Sequence, residues 1–213
     1  AIMSAVTTTS PSGLGTLGVM AADIKLAHSV FAMPFALLAA FMAGSQLNGG
    51  QWIVDWAVFG RQIALVVLAM VLARTTAMLA NRFFDRAIDN HNPRTSGRAL
   101  PSKAVSSREV VLGIVVCGLL FVLVCAAFGK FNNWWPLGLS VPVLIWICAY
   151  GLFKRFTWLC HIYLGSSLAI SPIAAAIAIQ PATVLPFSPM FVPGLWLLSA
   201  MVLCWVAGFD IIY

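Results

Sequence analysis

The sequence predicts an all-α integral membrane protein, a multi-helix transmembrane bundle, and three observations carry that prediction. Of 213 residues, 62% are hydrophobic and only 8% are charged, with a mean hydropathy of +0.98. Soluble domains carry about 25% charged residues, and disordered chains need low hydrophobicity with high charge, so both classes are excluded. Second, the apolar residues gather into six runs near the length a helix needs, about 20 residues, to cross roughly 30 Å of hydrocarbon. Third, the basic residues collect on one side of those runs.

In chain order, residues 1–22 are rich in Ser, Thr and Gly and place no basic stretch ahead of an apolar core. They read as a mobile tail rather than a signal peptide. The transmembrane domain follows over residues 23–213, with predicted spans at Val30–Leu47, Ala57–Asn81, Val110–Phe128, Trp134–Phe153, Trp158–Ile179 and Phe191–Tyr213. Pro34 is expected to kink the short first span, as Pro142 and Pro172 do the fourth and fifth. Proline is tolerated within a bilayer where neighbouring groups satisfy the carbonyls it frees. The chain starts without Met and stops at Tyr213 inside an apolar run, which reads as a fragment of a longer protein.

Orientation follows from the cations. Lys25 precedes the first span. Arg82, Arg86, Arg94, Arg98, Lys103 and Arg108 lie between the second and third, and Lys154 and Arg155 between the fourth and fifth. Only Arg61 and Lys130 fall on the opposite side, and Arg74 lies within the second span. The positive-inside rule places the rich side in the cytoplasm, and it accounts for the pI near 9.4 without nucleic acid. The five cysteines (117, 125, 148, 160 and 204) sit in apolar runs without a C-x-x-C pair and read as buried packing residues.

With six acids in the chain, their placement is informative. Asp23, Asp55 and Glu109 lie at or beyond helix ends, where charge costs little. Asp85 and Asp89 instead follow Asn81 at four-residue steps. Each such step turns a helix by about 400°, so the three side chains share one face along roughly 12 Å of axis, and Arg74 and Met78 continue that face inward. Two carboxylates and an amide pack poorly but suit a hard cation such as Mg²⁺, which takes few carboxylates and completes its shell with waters and substrate phosphates. Arg and Lys nearby suit phosphate oxygens. One interpretation is a metal–diphosphate site at the cytoplasmic mouth of the bundle; another is a charged cluster that pairs internally and fixes topology. Asp210 favours the first. It ends an apolar stretch with no charge back to Arg155, level by topology with Asp85 and Asp89, and an ionisable group in such a segment points to function. Arg74 reads either as a clamp for an acceptor carboxylate or as a structural partner of a site acid. His28, His91 and His161 are not at ligand spacing and read as structural.

These residues resemble a known family. Asn81-x-x-x-Asp85-x-x-x-Asp89, followed by Asn92-Pro93-Arg94-Thr95-x-x-Arg98, resembles the first Asp-rich motif of the UbiA superfamily of intramembrane prenyltransferases. Tyr150-x-x-x-Lys154-Arg155-x-Thr157 with Leu164-Gly165 is similar to its 4–5 loop, and Gly208-Phe209-Asp210-Ile211-Ile212-Tyr213 to the start of its second motif, whose final Asp would fall four residues beyond Tyr213. Lys25-x-x-His28-Ser29-x-Phe31-Ala32-Met33-Pro34-Phe35 resembles the quinone-pathway branch, in which 4-hydroxybenzoate or a related aromatic acid is prenylated. His161, where that branch often has Gln, resembles the menaquinone-type members of the futalosine route.

The resemblance implies nine helices in the whole protein, of which this chain holds the first two-thirds. It implies an allylic polyprenyl diphosphate that ionises and alkylates an electron-rich ring carbon. Asn81, Asp85, Asp89 and Asp210 would hold Mg²⁺; Arg94, Arg98, Lys154 and Arg155 would neutralise the diphosphate, with Tyr150 hydrogen-bonding to it. A bacterial inner membrane, with the active-site loops cytoplasmic, is the expected setting. The chain alone is expected to be inactive, because half the second motif lies beyond it. Other acceptors compete with the aromatic acid: haem, chlorophyllide, homogentisate or a lipid headgroup. So does a transporter with an intramembrane acidic path, although the acids here gather at one face beside phosphate-type cations.

Overall fold

The computed structural model describes residues 18, 32–45, 55–93, 95, 99–102 and 104–212. The tail over residues 1–22 apart from Gly18, and Asp23, Lys25, His28, Arg94, Arg98, Lys103 and Tyr213, therefore lie outside the described residues. Among the described residues from Ala32 on, six α-helices follow in order: α1 Met33–Gly44, α2 Trp56–His91, α3 Ser107–Ala127, α4 Trp135–Phe153, α5 Cys160–Ile179 and α6 Pro193–Ile212. Short 3₁₀ turns at Phe128–Phe131 and Pro181–Thr183 lead out of α3 and α5. α2 to α6 are each long and apolar enough to cross a membrane, whereas α1 is a 12-residue apolar helix. The chain is a multi-pass integral membrane bundle.

Two differences from the sequence expectation concern the first two helices. Pro34 does not kink α1: it falls in the first turn, where the missing N–H would have had no intrahelical partner in any case. α2 does not stop at Asn81 but continues to His91, 36 residues in all. Polar residues end the apolar run at Asn81, but the buried face continues beyond it as Asp85 and Asp89.

The end-of-helix acids cap. Asp55 accepts from the backbone N–H groups of Ala57 and Val58 at 2.9 and 3.0 Å, and Glu109 completes a reciprocal capping box with Ser106. The helices meet through small residues, as bilayer helices do where close approach replaces hydrophobic driving force. Ala36, Ala39, Ala40 and Ala43 form one buried face of α1 against Ala175, Ala176 and Ile179 of α5. Pro172 inside α5 leaves the Leu168 carbonyl without its usual donor, and the Ser171 hydroxyl takes that place at 2.7 Å. α5 and α6 cross closely at Gly165, where an added Cβ would lie 2.6 Å from the Leu203 carbonyl oxygen. Ser199 donates across this same interface to the Ala169 carbonyl at 2.6 Å. Of the cysteines, Cys125 is buried but Cys204 is exposed on α6. The expectation of buried packing thus fails at Cys204, on an outward face where lipid is as good an apolar surround as protein.

The far end of α5 shows how backbone groups are satisfied. Asn133, 6% exposed, donates its amide to the carbonyls of Ile177 and Ala178 at 2.7 and 3.0 Å, two of the four that a helix C-terminus leaves over. Asn133→Leu is expected to lower stability by about 1–3 kcal/mol, the cost of stranding buried acceptors, measurable as a lower melting temperature in detergent.

Candidate active site

The sequence-predicted residues on α2 lie where the helical spacing puts them. Asp85 and Asp89 are 5% and 7% exposed, two of the few charged side chains the bundle buries, and Asn81 stands one turn deeper. What meets them comes from the end of α4. The last turn tightens there, with Lys154 N–H donating to the Tyr150 carbonyl and Arg155 N–H to that of Leu152 at 3.0 Å, which turns both cations toward α2. Lys154 forms an ion pair and hydrogen bond with Asp85 Oδ2 and donates to Asn81 Oδ1 at 3.2 Å. Arg155 donates to the Phe84 carbonyl, with its guanidinium 3.9 Å from Asp85 Oδ1. Lys154 also stands over the Tyr150 ring, 6.0 Å from its centroid.

Gly151 makes this approach possible. A Cβ there would meet the Phe84 ring at 3.0 Å and Asn81 Oδ1 at 3.3 Å. The requirement is tertiary, so nothing in the sequence near Gly151 announces it.

Asp210 meets a residue that sequence reasoning set aside. His161, in the first turn of α5, lies with Nδ1 2.7 Å from Asp210 Oδ2 on α6. Arg74 lies deeper along α2, with its Nε buried and without a hydrogen-bond partner. Arg82 and Arg86 belong to α2 rather than to a loop. Arg86 turns away from the acids, its guanidinium 4.2 Å from the Phe83 ring centroid and donating to the Phe83 carbonyl at 2.7 Å. That accounts for Phe83 as the partner of an exposed arginine.

The donor set can be weighed for a divalent cation. Among the described residues, no three His, Cys, Asp or Glu side chains come close enough to form a metal cage. The set is instead an amide and two buried carboxylates, and Asp85 Oδ1 is buried without a hydrogen-bond partner. A hard ion that draws its other ligands from water and a phosphate-bearing substrate fits such a set; a preformed all-protein cage does not.

The UbiA prenyltransferase family model matches residues 32–213, nearly the whole described bundle and all of this site. The chain belongs to the UbiA prenyltransferase family. A solved apo structure of a UbiA homologue from Aeropyrum pernix K1 superposes with a TM-score of 0.69 at 28% identity, over 87% of this chain and 62% of that one. Among sequence relatives, the 4-hydroxybenzoate octaprenyltransferase of Nitrosomonas eutropha is 34% identical over 154 residues, covering 71% of this chain and 49% of that protein. The enzyme of the same name from Serratia proteamaculans is 30% identical over 151 residues, 71% of this chain and 48% of the relative. The chain thus spans about half the length of the curated relatives it matches. Within the UbiA bundle it supplies α2 with its acidic face, the Lys154–Arg155 corner and Asp210.

Proposed function

We propose that the full-length protein transfers a polyprenyl group from polyprenyl diphosphate to an aromatic acceptor of the 4-hydroxybenzoate type, in ubiquinone or menaquinone biosynthesis. One observation carries the proposal above all. Lys154 and Arg155 from the end of α4 converge on the Asn81–Asp85 face of α2, so that metal-type oxygens and phosphate-type cations share one corner. A transporter needs no such pairing of ligands. The names of the sequence relatives support the acceptor class.

In this proposal Asn81, Asp85, Asp89 and Asp210 would hold Mg²⁺, not as one preformed cage but together with water and the diphosphate. A metal held there would supply Lewis-acid and template chemistry to the diphosphate. Lys154 and Arg155, with Arg94 and Arg98 from the following loop, neutralise the leaving group, and Tyr150 donates a hydrogen bond to it. Negative charge grows on the diphosphate as the allylic C–O bond breaks, so cations fixed in advance favour the transition state over the bound substrate. The ring carbon then forms the new C–C bond and loses its proton. Arg74, whose Nε has no partner, clamps the acceptor carboxylate deeper in the bundle. The polyprenyl tail lies among helices open to lipid, since each CH₂ held in water costs about 0.8 kcal/mol. The active-site loops face the cytoplasm of a bacterial inner membrane, as the basic residues direct.

His161 positions Asp210 through its 2.7 Å contact. In full-length protein, His161→Leu is expected to lower kcat by about 10–100-fold, the usual cost of removing the partner that orients a metal-ligating side chain. His161→Gln, whose amide still donates, is expected to retain most of the rate. Equal loss in both variants, measured by initial-rate kinetics, would remove the hydrogen bond from the mechanism.

A further inference from the structure

We propose that Lys154 is a built-in stand-in for the metal: it holds the Asn81–Asp85 oxygens until a diphosphate draws it off, so divalent metal enters with the diphosphate and not ahead of it. The inference rests on the assignment of Asp85 as a metal ligand. It adds an order of assembly that the assignment alone does not contain.

The geometry points to competition for the same atoms. The ammonium of Lys154 engages Asn81 Oδ1 and Asp85 Oδ2, two of the oxygens assigned to the cation. Asp85 is 5% exposed, and its other oxygen, Oδ1, has no hydrogen-bond partner. A metal arriving alone must displace Lys154, whose side chain, 27% exposed, then trades its carboxylate for water and keeps its ammonium beside the incoming cation. It would also bring two further positive charges into a corner that already holds Lys154 and Arg155. A metal–diphosphate complex reverses both terms. The phosphate oxygens give Lys154 a new acceptor, the carboxylate is released to the metal, and the incoming negative charge balances the cations.

The two cations are not equivalent in this exchange. Arg155 is tied to the Phe84 carbonyl and stays 3.9 Å from Asp85. Lys154 sits at the end of α4 on a flexible four-carbon stem and presents a compact charge with three rotatable donors, which can be handed from one oxygen set to another. Gly151, one turn earlier, brings this stem against Asn81.

The test uses the full-length protein in detergent, with Mn²⁺ as the paramagnetic metal and inorganic pyrophosphate as the diphosphate. Protein-bound Mn²⁺ is counted by electron paramagnetic resonance, corrected for chelation by pyrophosphate. The wild type is expected to bind Mn²⁺ weakly alone and more tightly with pyrophosphate. Lys154→Met is expected to bind Mn²⁺ alone at least about tenfold more tightly than wild type, a shift well resolved in a binding isotherm, and to gain less from pyrophosphate. Lys154→Gln serves as a second neutral variant if the methionine protein is poorly folded, and Lys154→Arg, which keeps the charge but not the compact, rotatable ammonium, is expected to bind Mn²⁺ alone as weakly as wild type and to gain less from pyrophosphate. If Mn²⁺ binding is abolished by Asp85→Asn yet is no tighter in Lys154→Met or Lys154→Gln than in wild type, the stand-in role is overturned and the metal assignment survives. If Asp85→Asn leaves Mn²⁺ binding intact in every background, the metal assignment itself falls, and the inference with it.

Discussion

Asp85→Ala in the full-length protein is expected to abolish measurable prenyl transfer, a loss of about 10²–10³-fold or more, since it removes a carboxylate proposed to hold the cation that stabilises the leaving group. Asp85 is the residue on which the corner converges: it takes Lys154 on one oxygen and lies near Arg155 with the other. The substitution also costs stability, because Lys154 loses its carboxylate and keeps Asn81 and the Tyr150 ring. That cost is expected to fall below the roughly 3–5 kcal/mol of a fully buried broken pair, as the Lys154 side chain is 27% exposed and can turn to water. Asp85→Asn separates the two effects. It keeps the shape and an oxygen for Lys154 but not the charge, so its melting temperature should stay near wild type while its turnover falls as in Asp85→Ala. An Asp85→Asn enzyme with wild-type turnover would remove Asp85 from the chemistry.

The second large effect is expected at Gly165. Any side chain there must push α6 away, because the first atom met is the Leu203 backbone carbonyl at 2.6 Å, with Ala207 N and Cβ both at 3.3 Å behind it. A backbone cannot step aside as a flexible side chain can. Gly165→Ala is expected to cost about 1–3 kcal/mol, typical of overpacking, and Gly165→Leu to prevent assembly of the α5–α6 pair. The same interface carries the Ser199–Ala169 bond and the His161–Asp210 contact, so activity should fall in step with stability. The check is thermal unfolding and gel filtration of the detergent-solubilised protein beside its prenyl-transfer rate. A monodisperse Gly165→Leu protein with wild-type melting would show that the two helices do not cross this closely.

What could be read from the sequence was what repeats locally. Apolar runs gave the spans, and the four-residue steps gave the shared face of Asn81, Asp85 and Asp89 that α2 displays. Helix-end acids were legible for the same reason, since a cap and its partners are sequence neighbours, as at Asp55 and Ser106–Glu109. The end of α2 was not legible: the polar strip lowers hydropathy where the helix carries on, to His91. Long-range pairings were hidden altogether. Asp85 finds Lys154 69 positions away, and Asp210 finds His161 49 positions away. His161 looked structural because ligand spacing is a local criterion, and this contact joins two helices. Arg86 falls among the basic residues between the second and third spans, but its rotation about α2 sends it to Phe83 rather than to the acids.

Prenyl transfer by the full-length protein is the measurement that bears most directly on the proposed function. Membranes containing it would be supplied with polyprenyl diphosphate, Mg²⁺ and a panel of aromatic acids including 4-hydroxybenzoate, with Asp85→Asn and Asp89→Asn run in parallel. A prenylated aromatic product that requires both the metal and the two acids is the expected result. No product from any acceptor, under conditions where a control family member is active, would contradict the proposed function, and product formation unaffected by either substitution would contradict the site.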